Sequence, residues 1–218
     1  MSAVRLLPSG RSALLVECET LDDVIALHDA LAASAPVGVV ELVPAARTLL
    51  VALDPARLPL ESAASWVRAV AMTDAEAAVP AASGGSARPD AEPVVVDVDY
   101  RGDDLAETAH LLGVSVEHLV ERHVATAWRV AFIGFAPGFG YLVAEDWPFD
   151  VPRLDVPRTS VPAGAVGLAG GFSGAYPRAS PGGWRLIGRT GAALWDAHAE
   201  SPALLVPGRP VRFRQVDA

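Results

Sequence analysis

The sequence predicts an α+β chain in two parts. A small N-terminal α/β domain covers residues 1–78, a linker covers 79–92, and a β-rich domain covers 93–218. Three observations carry this. Before residue 78, extended and amphipathic stretches follow the order β-β-α-β-β-α, which suggests an antiparallel sheet with helices on one side. Val79–Pro93 is made of Ala, Pro, Ser and Gly with a few charges and no periodicity, as a linker is. Between Gly134 and Gly191 lie 12 of the 19 glycines. That density demands positive φ and tight corners, as in a closed β-barrel or a sandwich.

Each element has its own signal. Val4–Pro8 and Ala13–Glu17 are extended stretches around the turn Ser9-Gly10-Arg11. Leu21–Ala33 places Leu21, Val24, Ile25, Leu27 and Leu31 on one helical face. Val37–Val43 and Thr48–Leu53 read as strands around Pro44-Ala45-Ala46, and Leu60–Met72 as a helix carrying Trp66, Val67 and Val70. After the linker, Val94–Tyr100 alternates as a strand. Asp103–Leu112 and Ser115–His123 read as two short helices, with Gly113 between them and Ser115 as N-cap of the second. Further strands are expected at Trp128–Phe132, Gly164–Leu168, Trp184–Gly188, Ala193–Trp195 and Val211–Arg214.

Composition excludes several chemistries. The 17 basic residues are all arginine, so there is no Schiff-base, biotinyl or P-loop lysine. There is no Asn, hence no N-glycosylation site. Cys18 is the single cysteine, which removes intrachain disulfides and Cys-rich zinc sites and fits a cytoplasmic location. The longest uncharged run, 159–177, holds Pro162 and five glycines and reads as irregular backbone; no membrane span is expected. Net charge is −9, an acidity that argues against nucleic-acid binding. Residues 151–218 nevertheless carry eight arginines against four acids. They can hold a small anion, or pair with acidic parts of this chain or of a partner.

Other motifs favour structural readings. Leu105–Arg122 has the look of a helix-turn-helix, but its second helix would turn Glu117 and Glu121 toward phosphates, so we read a packing hairpin. His118 and Glu121 share a helical face, whereas His123 falls off it; no metal site is expected. Gly171-Phe172-Ser173-Gly174-Ala175 lacks the last glycine of a nucleophile elbow. Cys18 has no basic neighbour in sequence and reads as a buried structural thiol.

The strongest signal lies in three stretches: Gly134-Phe135-Ala136-Pro137-Gly138-Phe139-Gly140-Tyr141-Leu142, Val156–Gly167, and Ser180-Pro181-Gly182-Gly183-Trp184-Arg185-Leu186-Ile187-Gly188-Arg189-Thr190. Their glycines expose backbone N–H groups that can form anion nests, around Gly138 and Gly182-Gly183. Their prolines stiffen loops. Phe135, Phe139, Tyr141 and Trp184 can form an apolar wall, and Arg158 and Arg189 can grip a carboxylate or phosphate.

These stretches resemble the KipI / allophanate-hydrolase-subunit-1 family, described as the B-type subunit of bacterial 5-oxoprolinase. So do Gly10–Val16, Val43–Val51 and Pro202–Phe213. The resemblance covers nearly the whole chain. It implies a small N-terminal α/β domain and a cyclophilin-like β-barrel. It also implies partner subunits C and A, ATP (as its magnesium complex), and ATP-dependent opening of 5-oxo-L-proline to L-glutamate. A lactam carbonyl is a stable amide; phosphorylating its oxygen makes the carbon electrophilic toward water. Positioning and charge stabilisation would then carry the catalysis. On this reading His123 and Arg158 are the expected catalytic residues. Pro137, Gly138, Phe139, Tyr141, Arg158, Gly182, Gly183, Trp184 and Arg189 are the expected substrate-binding residues. The family's older name implies an alternative, inhibition of a sensor histidine kinase; kinship with urea carboxylase implies another, a carboxyltransferase-like role on urea-type amides. The chain departs from the family pattern at Phe172-Ser173-Gly174, where Gln-Thr-Gly is usual, and at Gly191, where Pro is usual.

Overall fold

A computed structural model describes residues 4–76 and 92–217. The expected linker at 79–92 lies outside the described residues except for Glu92. The chain divides into two compact units, Met1–Ser86 and Ala87–Ala218.

In the first unit β1 (Arg5–Pro8), β2 (Ala13–Glu17), β3 (Val39–Pro44) and β4 (Thr48–Leu53) form an antiparallel sheet in the order β1-β2-β4-β3. Helices α1 (Leu21–Ala33) and α2 (Leu60–Glu76) pack on it. The start of α1 is fixed by a capping box: Thr20 Oγ1 accepts the Asp23 N–H at 3.1 Å, and Asp23 accepts the Thr20 N–H at 3.1 Å. Val16, Leu49 and Val51 meet Val24, Leu27 and Val67 in the core, all fully buried. Each such side chain stabilises the unit by about 1.5–3 kcal/mol. Cys18 is buried in the same core; burial, and secondarily Asp23, pushes its thiol pKa up and keeps it protonated. Strand β3 begins later than the pattern suggested. Gly38 sits at φ +110° against Leu58, and only after that corner does the chain extend.

The second unit contains β5 (Val94–Val98), α3 (Leu105–Leu111), α4 (Val116–Ala125), β6 (Trp128–Ile133), β7 (Gly140–Val143), β8 (Arg158–Val161), β9 (Ala165–Ala169), β10 (Phe172–Ala175), β11 (Ser180–Gly182), β12 (Arg185–Arg189) and β13 (Pro210–Gln215). Seven strands form one sheet in the order β12-β9-β10-β7-β6-β13-β5, antiparallel except for β13 with β5. Its edges meet. Just past β5, Asp99 exchanges main-chain hydrogen bonds with Arg189 of β12 at 2.8 and 2.9 Å. The Gly102 and Asp104 N–H groups then donate to Ile187 and Leu186 at 3.2 and 2.9 Å. The sheet is thereby nearly closed into a barrel, the cyclophilin-like form that the resemblance implied.

Closure gives the sheet an inside and an outside. Alternation along each strand sorts the side chains. Val130, Leu142, Leu168, Ile187 and Phe213 share one core with Leu105 and Leu119 of the helices, which close the barrel. Tyr141, Phe172 and Leu186, each adjacent in sequence to an inward-facing residue, belong to a second cluster on the outer face. The separate two-stranded sheet of β8 and β11 packs on that cluster through Val161. The hairpin of α3 and α4 packs as read from the sequence. Ser115 Oγ accepts the His118 N–H at 3.1 Å, and α4 keeps Glu117, His118 and Glu121 exposed.

Four strands were not anticipated. β7, β8, β10 and β11 are three or four residues long and rich in Gly, Pro and Ser, so tertiary pairing rather than propensity makes them extended. Conversely, Ala193–Trp195 forms only an isolated bridge, Trp195 with Ala203.

The barrel seam is built on glycine. A Cβ on Gly102 would lie 2.4 Å from the Ile187 carbonyl carbon and the Leu186 oxygen. Gly102→Ala is therefore expected to destabilise the barrel by about 1–3 kcal/mol or more. Thermal unfolding followed by tryptophan fluorescence should show a drop of several degrees; an unchanged midpoint would mean that the seam yields freely.

Candidate functional site

Outside the barrel, aromatic rings from three separate sequence stretches converge. Phe139 sits 5.0 Å from Tyr141, 5.2 Å from Tyr176 and 5.3 Å from Trp184, all nearly edge-to-face. Tyr141 lies 5.6 Å from Trp184 and stacks on Phe132 at 4.4 Å. Edge-to-face packing places the positive rim of one ring on the negative face of the next. Gly174 makes room for it, since a Cβ there would sit 3.1 Å from both the Phe139 and Trp184 rings. Phe135 extends the cluster outward, 5.3 Å from Phe139 and 56% exposed. Its φ of 67° is a conformation that a bulky residue rarely adopts, held at a cost of about 1–3 kcal/mol.

Two guanidinium groups border this wall. Arg158, on β8, pairs in register with Gly182 and acts electrostatically on Tyr176. Arg153 acts on both Tyr141 and Tyr176, and its Nε would lie 3.7 Å from a Cβ on Gly183. Burial pushes the pKa of both phenols above the ordinary tyrosine value, with the arginines offsetting it in part, so both hydroxyls stay protonated near neutral pH. The Tyr176 oxygen already accepts the Trp184 backbone N–H.

Arg158 is itself anchored. Its Nη2 donates to Asp104 Oδ1 at 2.6 Å, while its Nη1 is buried with no hydrogen-bond partner among the described residues. The bond to Asp104 raises the guanidinium pKa, so Arg158 is charged at every relevant pH. A packed aromatic cluster with un-ionised phenols, bordered by the anchored Arg158 and the exposed Arg153, suits a small ring-bearing anion.

The structure thus brings together Phe139, Tyr141, Arg158, Gly182, Gly183 and Trp184 of the expected residues. Pro137 is exposed in the loop before Phe139. Gly138 turns that loop at φ +83° and packs on Leu194 and Trp195. The expected nests are partly occupied, because the Phe139 and Trp184 N–H groups already have partners. Arg189 is not with the group; it lies at the seam beside Asp99, at the other end of β12 from Trp184.

His123 is elsewhere too. It is wholly buried in the barrel core, stacked on Phe213 at 4.3 Å. Its Nδ1 meets the Tyr100 hydroxyl at 2.6 Å and its Nε2 the Ser173 hydroxyl at 2.8 Å, so both ring nitrogens are engaged. Ser173 and Phe172 point to opposite faces of β10, which puts the barrel wall between His123 and the aromatic cluster. Desolvation holds the His123 pKa down to about 3.

Sequence reasoning missed Tyr176, Arg153 and Asp104. Tyr176 had a signal, as the only large polar side chain in the long uncharged run. Arg153 and Asp104 had none: one is an arginine among eight, the other an ordinary acid at a helix start.

A nearly closed barrel with an aromatic, arginine-bordered outer wall, preceded by a four-stranded α/β unit, defines the class. Residues 4–205 match the family described as carboxyltransferase domain, subdomain C and D, and the chain belongs to that family. It is similar to the B-type subunit of 5-oxoprolinase from Escherichia coli, 46% identical over 112 residues, which is 51% of each chain. It is also similar to the B-type subunit of 5-oxoprolinase from Haemophilus influenzae, 42% identical over 113 residues, covering 52% of this chain and 53% of the relative. The chain spans about half the length of the curated relatives it matches. Among solved structures, TTHA0988 superposes with a TM-score of 0.71 at 32% identity over 99% of this chain and 40% of that one. PH0987 from Pyrococcus horikoshii gives 0.55 at 34% identity, covering 98% of both. Kluyveromyces lactis urea carboxylase gives 0.74 at 18% identity, over 98% of this chain and 22% of that one, a likeness of fold alone. No helix among the described residues is long and apolar enough to cross a membrane.

The buried imidazole makes stability depend on pH. The unfolded chain protonates His123 below its ordinary pKa of 6.5, whereas the folded chain resists until about 3. Its contribution is therefore complete above pH 6.5 and is lost as the pH falls toward 3. Denaturant titrations from about pH 7 to 4 should show wild type losing stability faster than His123→Gln, by up to about 1.4 kcal/mol per pH unit. Parallel curves would refute a neutral, enclosed ring.

Proposed function

We propose that this chain is a B-type subunit of an ATP-dependent 5-oxoprolinase complex that opens 5-oxo-L-proline to L-glutamate. Its share of the site is the aromatic and arginine cluster on the outer barrel wall. The observation that carries this reading is the buried, unpartnered Nη1 of Arg158, among the described residues, on an arginine that acts on Tyr176 of the aromatic cluster. The curated relatives, named as B-type subunits of 5-oxoprolinase, support it.

In this reading Phe139, Tyr141 and Trp184 receive the lactam ring, and Tyr141, held protonated, donates toward its carbonyl. Arg158 and Arg153 hold the carboxylate or phosphate charge; with no lysine in the chain, arginine supplies every cationic side chain apart from histidine. Gly182 lets the main chain lie against the Tyr176 hydroxyl, where a Cβ would sit 2.5 Å away, and Gly183 lies beside Arg153. ATP, as its magnesium complex, would supply the phosphoryl group that activates the lactam oxygen. Water attack and proton transfer then need groups from partner subunits C and A.

The test is reconstitution. This chain, purified with candidate C-type and A-type subunits, should release ADP and glutamate only when 5-oxoproline is present. Arg158→Ala should lower that turnover by about tenfold or more, the scale of a buried charge-assisted contact. Inhibition of a sensor kinase without turnover would sink the enzyme reading, and full activity in Arg158→Ala would remove Arg158 from the site.

A further inference from the structure

Asp104 stands at the N-cap position of α3, the place where an aspartate ordinarily accepts the helix's own first N–H groups, yet it makes no capping bond. Its two oxygens are spent elsewhere. Oδ1 accepts Nη2 of Arg158 at 2.6 Å, and Oδ2 accepts the Leu186 backbone N–H at 2.7 Å. The Asp104 N–H in turn donates to Leu186 O at 2.9 Å, so the residue is clamped to β12 from both sides. Its side chain is 6% exposed.

An arginine beside a free carboxylate takes both oxygens with two parallel bonds. Here the second oxygen already belongs to a main-chain N–H, so the Arg158 fork is gripped by one prong only. The other prong, Nη1, stays buried and unpaired among the described residues. Leaving a charged donor in that condition is unfavourable unless something completes it.

We propose that Asp104 is a positioning residue: by spending Oδ2 on Leu186 it holds Arg158 in a one-pronged grip and presents Nη1 to the oxyanion of a ligand, a carboxylate or a phosphoryl group. The identity of that ligand as 5-oxoproline or ATP rests on the function proposed above; the oxyanion site itself does not.

The experiment uses the whole chain with ¹⁵N-labelled arginine, the Arg158 side-chain signals being assigned by their loss in Arg158→Lys. The protein is titrated separately with 5-oxoproline and with inorganic phosphate. Saturable shifts of the Arg158 signals with at least one anion are expected. Asp104→Asn should weaken that binding by about tenfold or more, and Asp104→Glu should fall between the two. Response to phosphate alone would keep the oxyanion site and count against 5-oxoproline as its ligand. Silence of the Arg158 signals toward both anions in the wild-type chain overturns the proposal whether or not the variants fold. So does wild-type affinity in a folded Asp104→Asn.

Discussion

The seam between the segment after β5 and strand β12 is the constraint on which the C-terminal unit depends. Main-chain bonds from Asp99, Gly102 and Asp104 reach Arg189, Ile187 and Leu186, and they turn a seven-stranded sheet into a ring. A flat sheet with two exposed edges would have two equivalent faces and a liability to pair with other chains. Joining the edges makes one face interior. Gly102 and Gly188 permit the approach, because a Cβ on either would lie within 2.7 Å of backbone across the seam.

Once the ring is closed, single-residue alternation decides what each side chain can do. Ser173 turns inward to the enclosed imidazole, while Phe172 beside it turns outward to Tyr141. Ile187 is barrel core and Leu186 is outer cluster. The same seam also anchors the polar part of the outer wall. Leu186, whose side chain supports the rings, lends its N–H to the carboxylate that holds Arg158. Packing and charge at the candidate site are thus fixed by one stretch of β12.

Much of this was legible in the sequence, though unevenly. In the first unit α1, β2 and β4 follow the hydrophobic pattern residue for residue, because each buries one continuous face. In the barrel the long strands β5, β6 and β13 were visible for the same reason. The strands that carry the site were not: Phe172–Ala175 and Ser180–Gly182 have no periodicity to read, and their partners make them extended. Glycine density correctly marked the region of tight corners and ring contacts. Sequence could not tell which arginine of the basic third reaches the rings, since Arg158 and Arg189 look alike in one dimension, yet one borders the aromatic wall and the other the seam. Nor could it show that His123 would be enclosed, because its surroundings, Tyr100, Trp147, Ser173 and Phe213, come from four distant places.

The lone thiol of Cys18 is enclosed in the core of the first unit, and its raised pKa makes it doubly unreactive while that core is intact. A thiol reagent therefore labels the chain only when that core opens, at a rate set by the opening equilibrium. Four of the five tryptophans belong to the other unit. The molecule thus carries two native reporters: the thiol responds to opening of the first unit alone, and tryptophan emission mainly to opening of the second.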